Sequence, residues 1–398
     1  MNEDSARHCE ERSDEAIQEP SRDSGLLRFA RNDEKAMTTP SGPAPKTLRS
    51  VADLAAVGLT DPDRAAALEA VEERYSVAMT PEIAALIDPA DPDDPIARQF
   101  LPDERELETR PEELADPIGD NAFSPTEGLV HRYPDRVLLK LLSVCPVYCR
   151  FCFRRETVGL GKGAGLSEEA LDKALTYIAE RPQIFEVILT GGDPLALSAR
   201  RLRTVAERLA AIEHVAVLRV HTRAPTAAPR LVTPERLDAM KASGKAVYMV
   251  LHVNHARELS PDARAAVTAI QNAGVSTLSQ TVLLAGVNDD ADTLERLMRS
   301  LVAARITPYY LHHPDLAPGT GHFRIPLDEG RRLYAELARR LSGIALPSYV
   351  LDIPGGYGKV PLQQSHLERD GNGGWRVIDR SGCAHSYADE GRATAERA

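Results

Sequence analysis

Three of the five cysteines, Cys145, Cys149 and Cys152, stand close together in a C-x3-C-x2-C spacing. The run before them, residues 137–144, is apolar and rich in branched side chains, which is typical of a buried strand. The thiols therefore follow a strand end on a tight loop. Three thiolates on such a loop suit a metal or an iron–sulfur cluster, and a four-iron cluster held by three of them leaves one iron open to a ligand. An open iron favours chemistry over electron storage.

Residue types alone allow other uses of these thiols. A structural zinc site takes four protein ligands, and the loop contains no fourth cysteine or histidine to complete the set. A redox disulfide needs two thiols rather than three. A zinc site and buried free thiols remain the alternatives to the cluster.

Lys359 is the second residue whose setting suggests chemistry. It follows the glycine-rich run Gly355-Gly356-Tyr357-Gly358 and precedes Val360. A nucleotide-binding P-loop requires Ser or Thr after the lysine, so that motif does not fit. A lysine amine in a partly desolvated setting can instead condense with the aldehyde of pyridoxal phosphate, and glycines let such a cofactor lie close to the backbone. A flexible surface turn is the simpler alternative.

Alternating strands and helices must position these residues. Apolar runs and helical patterns alternate six times between residues 137 and 313, which indicates a parallel sheet and, from the regular spacing, a barrel or part of one. We therefore expect the α/β class, in the form of a partial (β/α)6 barrel. The predicted strands are 137–144, 186–190, 216–222, 246–252, 277–284 and 306–311, and the predicted helices lie near 168–181, 199–212, 234–242, 261–273 and 291–304.

Polar residues stand at the predicted carboxyl ends of these strands, where the active sites of barrels lie. A glycine pair at such an end lets the backbone approach a ligand closely, although a plain strand-to-helix turn would also explain it. The residues are Gly191, Gly192 and Asp193 after the second strand, His221 and Arg223 at the third, His252 and Asn254 at the fourth, Gln280 within the fifth, and His312 and His313 at the sixth.

The segments that flank the barrel differ from it in composition. Residues 1–46 are predicted to be a disordered leader, because the first 36 are polar and charged, and Met37 offers a second start. Residues 47–130 combine helical patterns with proline-rich chain, which predicts a helical N-terminal domain. The barrel is assigned to residues 131–345. Residues 346–398 are predicted to form a small C-terminal segment that carries Lys359 and ends in a frayed tail.

Composition limits the classes of function. The chain has 48 Lys and Arg against 59 Asp and Glu, a net charge of −11, which disfavours non-specific nucleic-acid binding. No run of about 18 apolar residues is present to span a membrane, and the acidic N-terminus is unlike a signal peptide. An odd number of cysteines does not suggest a secreted disulfide framework. A small-molecule substrate and a reducing cytoplasm are expected.

The order of the motifs resembles the lysine 2,3-aminomutase family of radical S-adenosylmethionine (SAM) enzymes, over roughly residues 50–380. The cysteine loop, with an aromatic residue before its last cysteine, is similar to the cluster loop of radical SAM enzymes. The other similar motifs are Tyr133-Pro134-Asp135-Arg136, Thr190-Gly191-Gly192-Asp193, His252-Val253-Asn254-His255, residues 280–289, Tyr309-Tyr310, His322-Phe323-Arg324 and Pro354-Gly355-Gly356-Tyr357-Gly358-Lys359.

The resemblance implies three cofactors. Cys145, Cys149 and Cys152 would hold a [4Fe–4S] cluster whose open iron binds SAM. Lys359 would be the catalytic residue that carries pyridoxal 5′-phosphate (PLP) as an imine. The remaining candidates implied for cofactor binding are Arg132, Tyr133 and Arg136 for the PLP phosphate, and Gly191, Gly192, Asp193, His252 and Gln280 for SAM.

The resemblance also implies the substrate contacts. Arg154 would hold the substrate carboxylate in a charge-assisted pair, and Asp315 and Asp352 would hold the ε-ammonium of lysine. Paired carboxylates would repel glutamate, so radical conversion of L-lysine to β-lysine by 2,3-amino migration is the expected reaction. An aminomutase acting on arginine or glutamate and a non-catalytic iron–sulfur protein remain alternatives, and the two aspartates could instead cap a turn and face solvent.

Two departures from the family pattern bear on the function. Only Cys383 stands in the region where lysine-degrading members carry a zinc-binding cysteine cluster, so no zinc is expected. The short tail is also more like members that make β-lysine for modifying elongation factor P. The segment His312-His313-Pro314 differs from the family's usual residues, which leaves the fine specificity of the pocket open. A flavodoxin or ferredoxin as electron donor and a second copy of the chain are the implied partners.

Overall fold

A nine-stranded sheet, with its strands in sequence order, forms the centre of the fold. It is seen in a computed structural model that describes residues 46–159, 165–363, 365–369, 375–379 and 382–387. Strands β2 to β8 are parallel, and β1 and β9 pair antiparallel at the two edges. The strands are β1 (Leu129–Tyr133), β2 (Arg136–Leu142), β3 (Glu186–Gly191), β4 (Val217–Thr222), β5 (Ala246–His252), β6 (Ser276–Val282), β7 (Thr307–His312), β8 (Ser348–Ile353) and β9 (Gly358–Pro361).

Burial of the strand residues follows the sequence pattern. In β3 the four central residues, 187–190, are all buried, as expected for a parallel strand that is covered on both faces. In β2 every second residue is buried, namely Val137, Leu139 and Leu141. The sheet is nearly closed, because the Lys359 N–H on β9 donates a hydrogen bond of 2.9 Å to the Tyr133 hydroxyl on β1.

Amphipathic helices pack against the strands in one hydrophobic core. The helix that spans Ala291–Ala303 shows why they form, since Leu294, Leu297 and Leu301 recur at helical spacing and are buried. Asp290 caps this helix by accepting a hydrogen bond of 2.8 Å from the Thr293 N–H. The helices are α1 (Val51–Ala56), α2 (Pro62–Arg74), α3 (Pro81–Ala84), α4 (Pro95–Phe100), α5 (Glu168–Ala179), α6 (Ala199–Ala210), α7 (Ala224–Ala227), α8 (Pro234–Lys241), α9 (Pro261–Asn272), α10 (Ala291–Ala303) and α11 (Leu327–Arg340).

The expected partial α/β barrel is confirmed. All six predicted strands and all five predicted helices are present, with bounds that agree within two residues. Three further strands, β1, β8 and β9, extend the same sheet. Strands β8 and β9 come from the segment that the sequence assigned to a small C-terminal piece, and β8 pairs in parallel with β7. The Lys359 segment is therefore built into the wall of the barrel.

The N-terminal helices support the cysteine loop from outside the barrel. Their apolar side chains form a second core with Val147, from the loop itself. Two backbone hydrogen bonds join the layers, from the Tyr148 N–H to the Ala78 carbonyl at 3.0 Å and from the Arg150 N–H to the Gln99 carbonyl at 2.9 Å. The loop is therefore fixed between the N-terminal helices and the barrel.

The chain divides into two compact units, and residues Lys46–Gln364 form the larger one. In the smaller unit, a three-stranded antiparallel sheet is formed by β10 (Leu367–Arg369), β11 (Trp375–Ile378) and β12 (Ala384–Tyr387). The expected leader with Met37, and the frayed tail beyond residue 387, lie outside the described residues. None of the described helices is long and apolar enough to cross a membrane.

Candidate active site

One cavity, with a volume of about 260 Å³, brings together all the residues that the family resemblance implies for cofactor and substrate binding. It lies inside the barrel and at the carboxyl ends of the parallel strands, as expected for this architecture. The proposed residues that line it are Arg132, Tyr133, Arg136, Cys145, Cys149, Cys152, Arg154, Gly191, Gly192, Asp193, His252, Gln280, Asp315, Asp352 and Lys359.

The three thiols follow strand β2 on a half-buried loop. Burial raises the pKa of each thiol, and it raises that of Cys152 to about 11. Thiolates at these positions therefore need positive charge beside them, which iron ions would supply. Part of that charge is already present, because Arg223 Nη1 lies 2.9 Å from Cys149 Sγ. The donor set suits a cluster, and these residues remain its predicted ligands.

Within the described residues, no group of three or more His, Cys, Asp or Glu side chains is arranged to hold a single metal ion. A four-iron cluster binds each thiolate at a different corner, so its ligands need not converge on one point.

Close packing at the end of β3 requires the glycine pair. A Cβ atom at position 192 would lie 2.2 Å from the Val144 carbonyl oxygen, inside the backbone that leads to Cys145. The Gly192 N–H donates a hydrogen bond of 2.6 Å to the Leu142 carbonyl. The glycines are needed to hold the cysteine loop against β3, in addition to any contact with a cofactor.

The Asp193 side chain connects the ends of β3 and β4 by hydrogen bonds. Its buried carboxylate accepts hydrogen bonds from the Thr222 hydroxyl at 2.7 Å and from the N–H groups of Arg223, Ala224 and Leu195 at 2.8, 3.0 and 3.0 Å. Both carboxylate oxygens are thus engaged within the protein. Any part of Asp193 in cofactor binding would come through the shape of this loop.

Two histidines with an unpartnered nitrogen line the cavity. His252 and Gln280 are direct neighbours in the β5–β6 register. The Nε2 atoms of His252 and His221 are buried without a hydrogen-bond partner among the described residues. Burial lowers the pKa of both imidazoles well below the usual value, so both are neutral. Neutral rings with a free nitrogen can bind a polar cofactor.

Asp120 organises the two arginines that were expected to bind anions. Its carboxylate accepts hydrogen bonds from Arg132 Nη2 at 3.0 Å and from Arg154 Nη2 at 2.9 Å, while Lys140 Nζ lies 3.8 Å away. Burial alone would raise the pKa of Asp120, but the charges of Arg154, Lys140 and Arg132 outweigh burial and lower it. Three cations around one carboxylate leave a net positive region that suits a phosphate or a substrate carboxylate.

The other predicted phosphate contacts are stacked beside the lysine. The Arg136 guanidinium lies 3.8 Å from the centre of the Tyr133 ring, which is a cation–π contact. The Tyr133 hydroxyl reaches the backbone of Lys359, as described above. The turn before Lys359 contains Gly355, Gly356 and Gly358 at positive φ angles of 85°, 91° and 90°, a backbone region that favours glycine.

Lys359 and Asp352 form an ion pair within the cavity. Lys359 Nζ lies 2.5 and 2.7 Å from the two Asp352 oxygens. His312 Nδ1 lies 3.5 Å from Asp352 Oδ2. Burial alone would raise the pKa of Asp352, but the His312 contact and the Lys359 charge outweigh burial and hold it below its usual range. Asp352 is therefore ionised.

Asp315 is the second carboxylate that the sequence assigned to the substrate. It lines the cavity and has no hydrogen-bond or ion-pair partner within the described ranges. Burial and the nearby Asp352 charge raise its pKa to about 7. The site therefore contains one unpaired acidic group that a cation can neutralise.

Sequence reasoning missed two charged residues of this site. Asp120 lies in proline-rich chain without periodicity, so only the folded structure reveals that it pairs with Arg132 and Arg154. Arg219 lines the cavity from β4, with its Nη2 atom 2.8 Å from Glu186 and its Nη1 atom 3.3 Å from the Tyr309 hydroxyl. An arginine on the inner face of a buried strand was the signal that could have identified it.

A buried polar network lies behind the cysteine loop. Arg223 Nη2 donates to Gln99 Oε1 at 2.6 Å and to Glu258 Oε2 at 2.8 Å, and its planar group lies 4.6 Å from the centre of the Phe100 ring. Arg223 and Glu258 are almost fully buried. The network connects the N-terminal helices to the thiol of Cys149, and its arginine was noted in the sequence only as a strand-end residue.

The residues present fit the three expected cofactors. Unpartnered buried nitrogens on His252, His221, Arg132 and Arg219 offer sites for polar ligand atoms. A cluster requires thiolates, an anionic group requires a cationic region such as that around Asp120, and an aldehyde requires an amine such as that of Lys359. The cavity contains all three.

Comparison with known proteins agrees with this geometry. The model of the Radical SAM superfamily matches residues 139–298. The L-lysine 2,3-aminomutase of Fusobacterium nucleatum subsp. nucleatum is 38% identical over 295 residues, which cover 74% of this chain and 69% of that protein. The L-lysine 2,3-aminomutase of Clostridium subterminale is 38% identical over 291 residues, which cover 73% and 70%.

A relative with a different name is almost as similar. The glutamate 2,3-aminomutase of Clostridioides difficile is 34% identical over 304 residues, which cover 76% of this chain and 71% of that protein. Sequence similarity alone therefore does not distinguish lysine from glutamate as the substrate. These matches, with the cysteine loop and Lys359 in one barrel cavity, place the chain in the lysine 2,3-aminomutase family of the radical SAM superfamily.

Proposed function

We propose that the protein converts L-lysine to β-lysine by 2,3-amino migration. The observation that carries this proposal is the pair of acidic side chains in the cavity, Asp315 without a partner and Asp352 beside Lys359. A substrate with a terminal ammonium would neutralise them. A substrate with a terminal carboxylate would be repelled by Asp352, because that carboxylate stays ionised.

The family's cofactors are a [4Fe–4S] cluster, SAM and PLP, which together supply a carbon-centred radical and hold the migrating amine. In the proposal, Cys145, Cys149 and Cys152 bind the cluster, and Lys359 binds the PLP aldehyde. Arg132, Tyr133 and Arg136 hold the phosphate. The SAM contacts proposed for this chain are Gly191, Gly192, Asp193, His252 and Gln280.

In this proposal, Arg154 binds the carboxylate end of the substrate. Its guanidinium is held by Asp120 and lies 3.3 Å from the Thr190 hydroxyl. A guanidinium fixed in this way suits bidentate binding of the substrate's α-carboxylate. With Arg154 for the carboxylate and the two aspartates for the ammonium, both charged ends of lysine have a partner, and the barrel excludes water from the reacting carbons.

Turnover by the anaerobically reconstituted and chemically reduced protein tests the proposal. L-Lysine, L-arginine and L-glutamate are each supplied, and β-amino acids are separated by chromatography. We expect β-lysine as the main product. Turnover of glutamate but not lysine would contradict the role of Asp315 and Asp352. Cleavage of SAM without any β-amino acid would favour a different radical enzyme, and neither SAM cleavage nor a β-amino acid would favour a non-catalytic iron–sulfur protein.

Variants of the acidic pair sharpen this test. Asp315→Asn should lower kcat/KM for lysine by about 10- to 100-fold, because it removes a charged hydrogen-bond acceptor. Asp328→Asn is the matched control, since that carboxylate is 92% exposed on α11. An equal loss in both variants would argue against a specific role for Asp315.

The remaining parts of the proposal concern the cell. We propose that a flavodoxin or ferredoxin supplies the electron, that the enzyme is a homo-oligomer in the cytoplasm, and that its β-lysine serves modification of elongation factor P. Light scattering tests the oligomer, and reduction of the cluster by purified flavodoxin tests the donor. The mass of elongation factor P, measured in cells with and without this gene, tests the use of the product.

A further inference from the structure

His312 lies at the carboxyl end of β7, beside the acidic pair. Its side chain is 15% exposed, and its Nδ1 atom is 3.5 Å from Asp352 Oδ2. The Tyr310 ring meets the imidazole edge to face at 5.4 Å between centres. The His312 ring is therefore fixed between Tyr310 and Asp352 while it lines the cavity.

Asp352 has a second partner that is not permanent in the proposed reaction. Both of its oxygens contact Lys359 Nζ, yet the Lys359 amine is the group proposed to react with PLP. While the amine holds the PLP aldehyde, before a substrate amine displaces it, Lys359 no longer offers a full ammonium to Asp352. His312 Nδ1, 3.5 Å away, then remains beside this carboxylate.

The other nitrogen of His312 is available to a ligand. His312 Nε2 has no hydrogen-bond partner among the described residues. This atom is also not fully buried. Burial lowers the pKa of His312, so the ring is neutral. With Nδ1–H turned toward the Asp352 carboxylate, Nε2 carries the lone pair and is an acceptor.

We propose that His312 is a specificity-determining residue whose Nε2 accepts a hydrogen bond from the terminal ammonium of the substrate, which completes a three-acceptor pocket with Asp315 and Asp352. This inference rests on the proposed function. An ammonium has three donors, so three acceptors can satisfy it. A third carboxylate would add repulsion, whereas a neutral imidazole adds an acceptor without charge. The planar, five-donor guanidinium of arginine does not match this set.

Binding of L-lysine and L-norleucine to the same holoprotein tests the inference. Norleucine has the same chain of carbon atoms but lacks the terminal ammonium. The reconstituted protein with cluster, SAM and PLP is titrated without reductant, so that no turnover occurs, and binding is followed by the absorbance of the bound PLP. We expect His312→Phe to weaken lysine about tenfold or more, as for a lost hydrogen bond to a charged group, and to change norleucine less than twofold.

Two further variants control this experiment. His312→Gln should restore most of the preference for lysine, because its amide can both donate to Asp352 and accept from an ammonium. His313→Gln should leave the preference unchanged, because that ring faces Tyr349, whose hydroxyl is 2.8 Å away.

The outcomes separate the inference from the proposed function. Equal weakening of lysine and norleucine in His312→Phe would show that the ring only packs, and an unchanged preference would show that Nε2 makes no contact with the ammonium. Either result would overturn the inference. A wild-type protein that does not prefer lysine to norleucine would instead contradict the proposed substrate.

Discussion

The hydroxyl of Tyr133 and the backbone N–H of Lys359 are joined by a hydrogen bond of 2.9 Å. Tyr133 belongs to the first strand of the sheet and Lys359 to the last, and these two edge strands are not neighbours in the sheet. The contact therefore crosses the open side of the barrel. It also places the proposed PLP lysine against the ring that lies next to Arg136.

Loss of this hydrogen bond should make the position of Lys359 less fixed while its amine is retained. Tyr133→Phe should lower the free energy of unfolding by about 1 kcal/mol, as expected for one hydrogen bond, and should weaken PLP binding. Urea unfolding and a PLP titration measure the two effects. Tyr357→Phe is the control, because the Tyr357 side chain lies in the glycine turn before Lys359 but is 81% exposed. Similar effects in both variants would show that the hydrogen bond is not responsible.

The glycine pair after β3 predicts a steric effect on the cysteine loop. Gly192→Ala would place its Cβ 2.2 Å from the Val144 carbonyl oxygen, so the backbone before Cys145 must move. We expect destabilisation of about 1–3 kcal/mol and less iron per chain after reconstitution. Gly343→Ala is the matched control, because nothing lies within 4 Å of its Cβ. Normal iron content in Gly192→Ala would contradict this role for the packing.

The barrel was predictable because it is built from long, regular patterns. Branched apolar runs such as 187–189 and helical spacing such as that of Leu294, Leu297 and Leu301 are local properties of the sequence. Parallel strands then bring their carboxyl ends to one edge. That rule alone predicts that Cys145, Gly191, His252 and the other strand-end residues lie in one site.

The parts that were missed depend on contacts between distant segments. Strand β1 is short and carries His131 and Arg132, so it lacks an apolar run, and the place of β9 at the edge of the barrel sheet depends on its pairing with β8. Asp120 could not be recognised because its function depends on two arginines that only folding brings to it. His312 was noticed as unusual, but its contact with Asp352 joins two strands that are 36 residues or more apart in sequence.

The pKa of Asp315 predicts how lysine binding depends on pH. With a pKa of about 7 in the empty site, Asp315 is about one-tenth ionised at pH 6 and about nine-tenths ionised at pH 8, whereas the lysine side chain stays protonated throughout. The affinity for lysine relative to norleucine should therefore rise about tenfold between these values. The ratio cancels effects on the shared α-amino group. Asp315→Asn should make the ratio low and flat, and a wild-type ratio that does not change with pH would contradict the assignment.

Asp120→Asn should weaken the protein but increase its response to anions. Removing a buried carboxylate from between Arg132 and Arg154 leaves uncompensated charges, so we expect a loss of about 2–4 kcal/mol in stability. Inorganic phosphate should raise the melting temperature of this variant more than that of the wild type. The exposed pair of Asp135 with Arg136 supplies the control, since Asp135→Asn should change stability by less than about 1 kcal/mol. An equal phosphate effect in Asp120→Asn and the wild type would contradict the arrangement.

The identity of the lysine that binds PLP tests the central claim most directly. The protein is loaded with PLP, reduced with borohydride, digested and examined by mass spectrometry. We predict that the added mass lies on the peptide that contains Lys359, that Lys359→Ala removes it, and that Lys140→Ala, which changes the lysine near Asp120, keeps it. A modification on Lys140, or no stable modification of the wild type, would contradict the assignment of Lys359 and with it the proposed reaction.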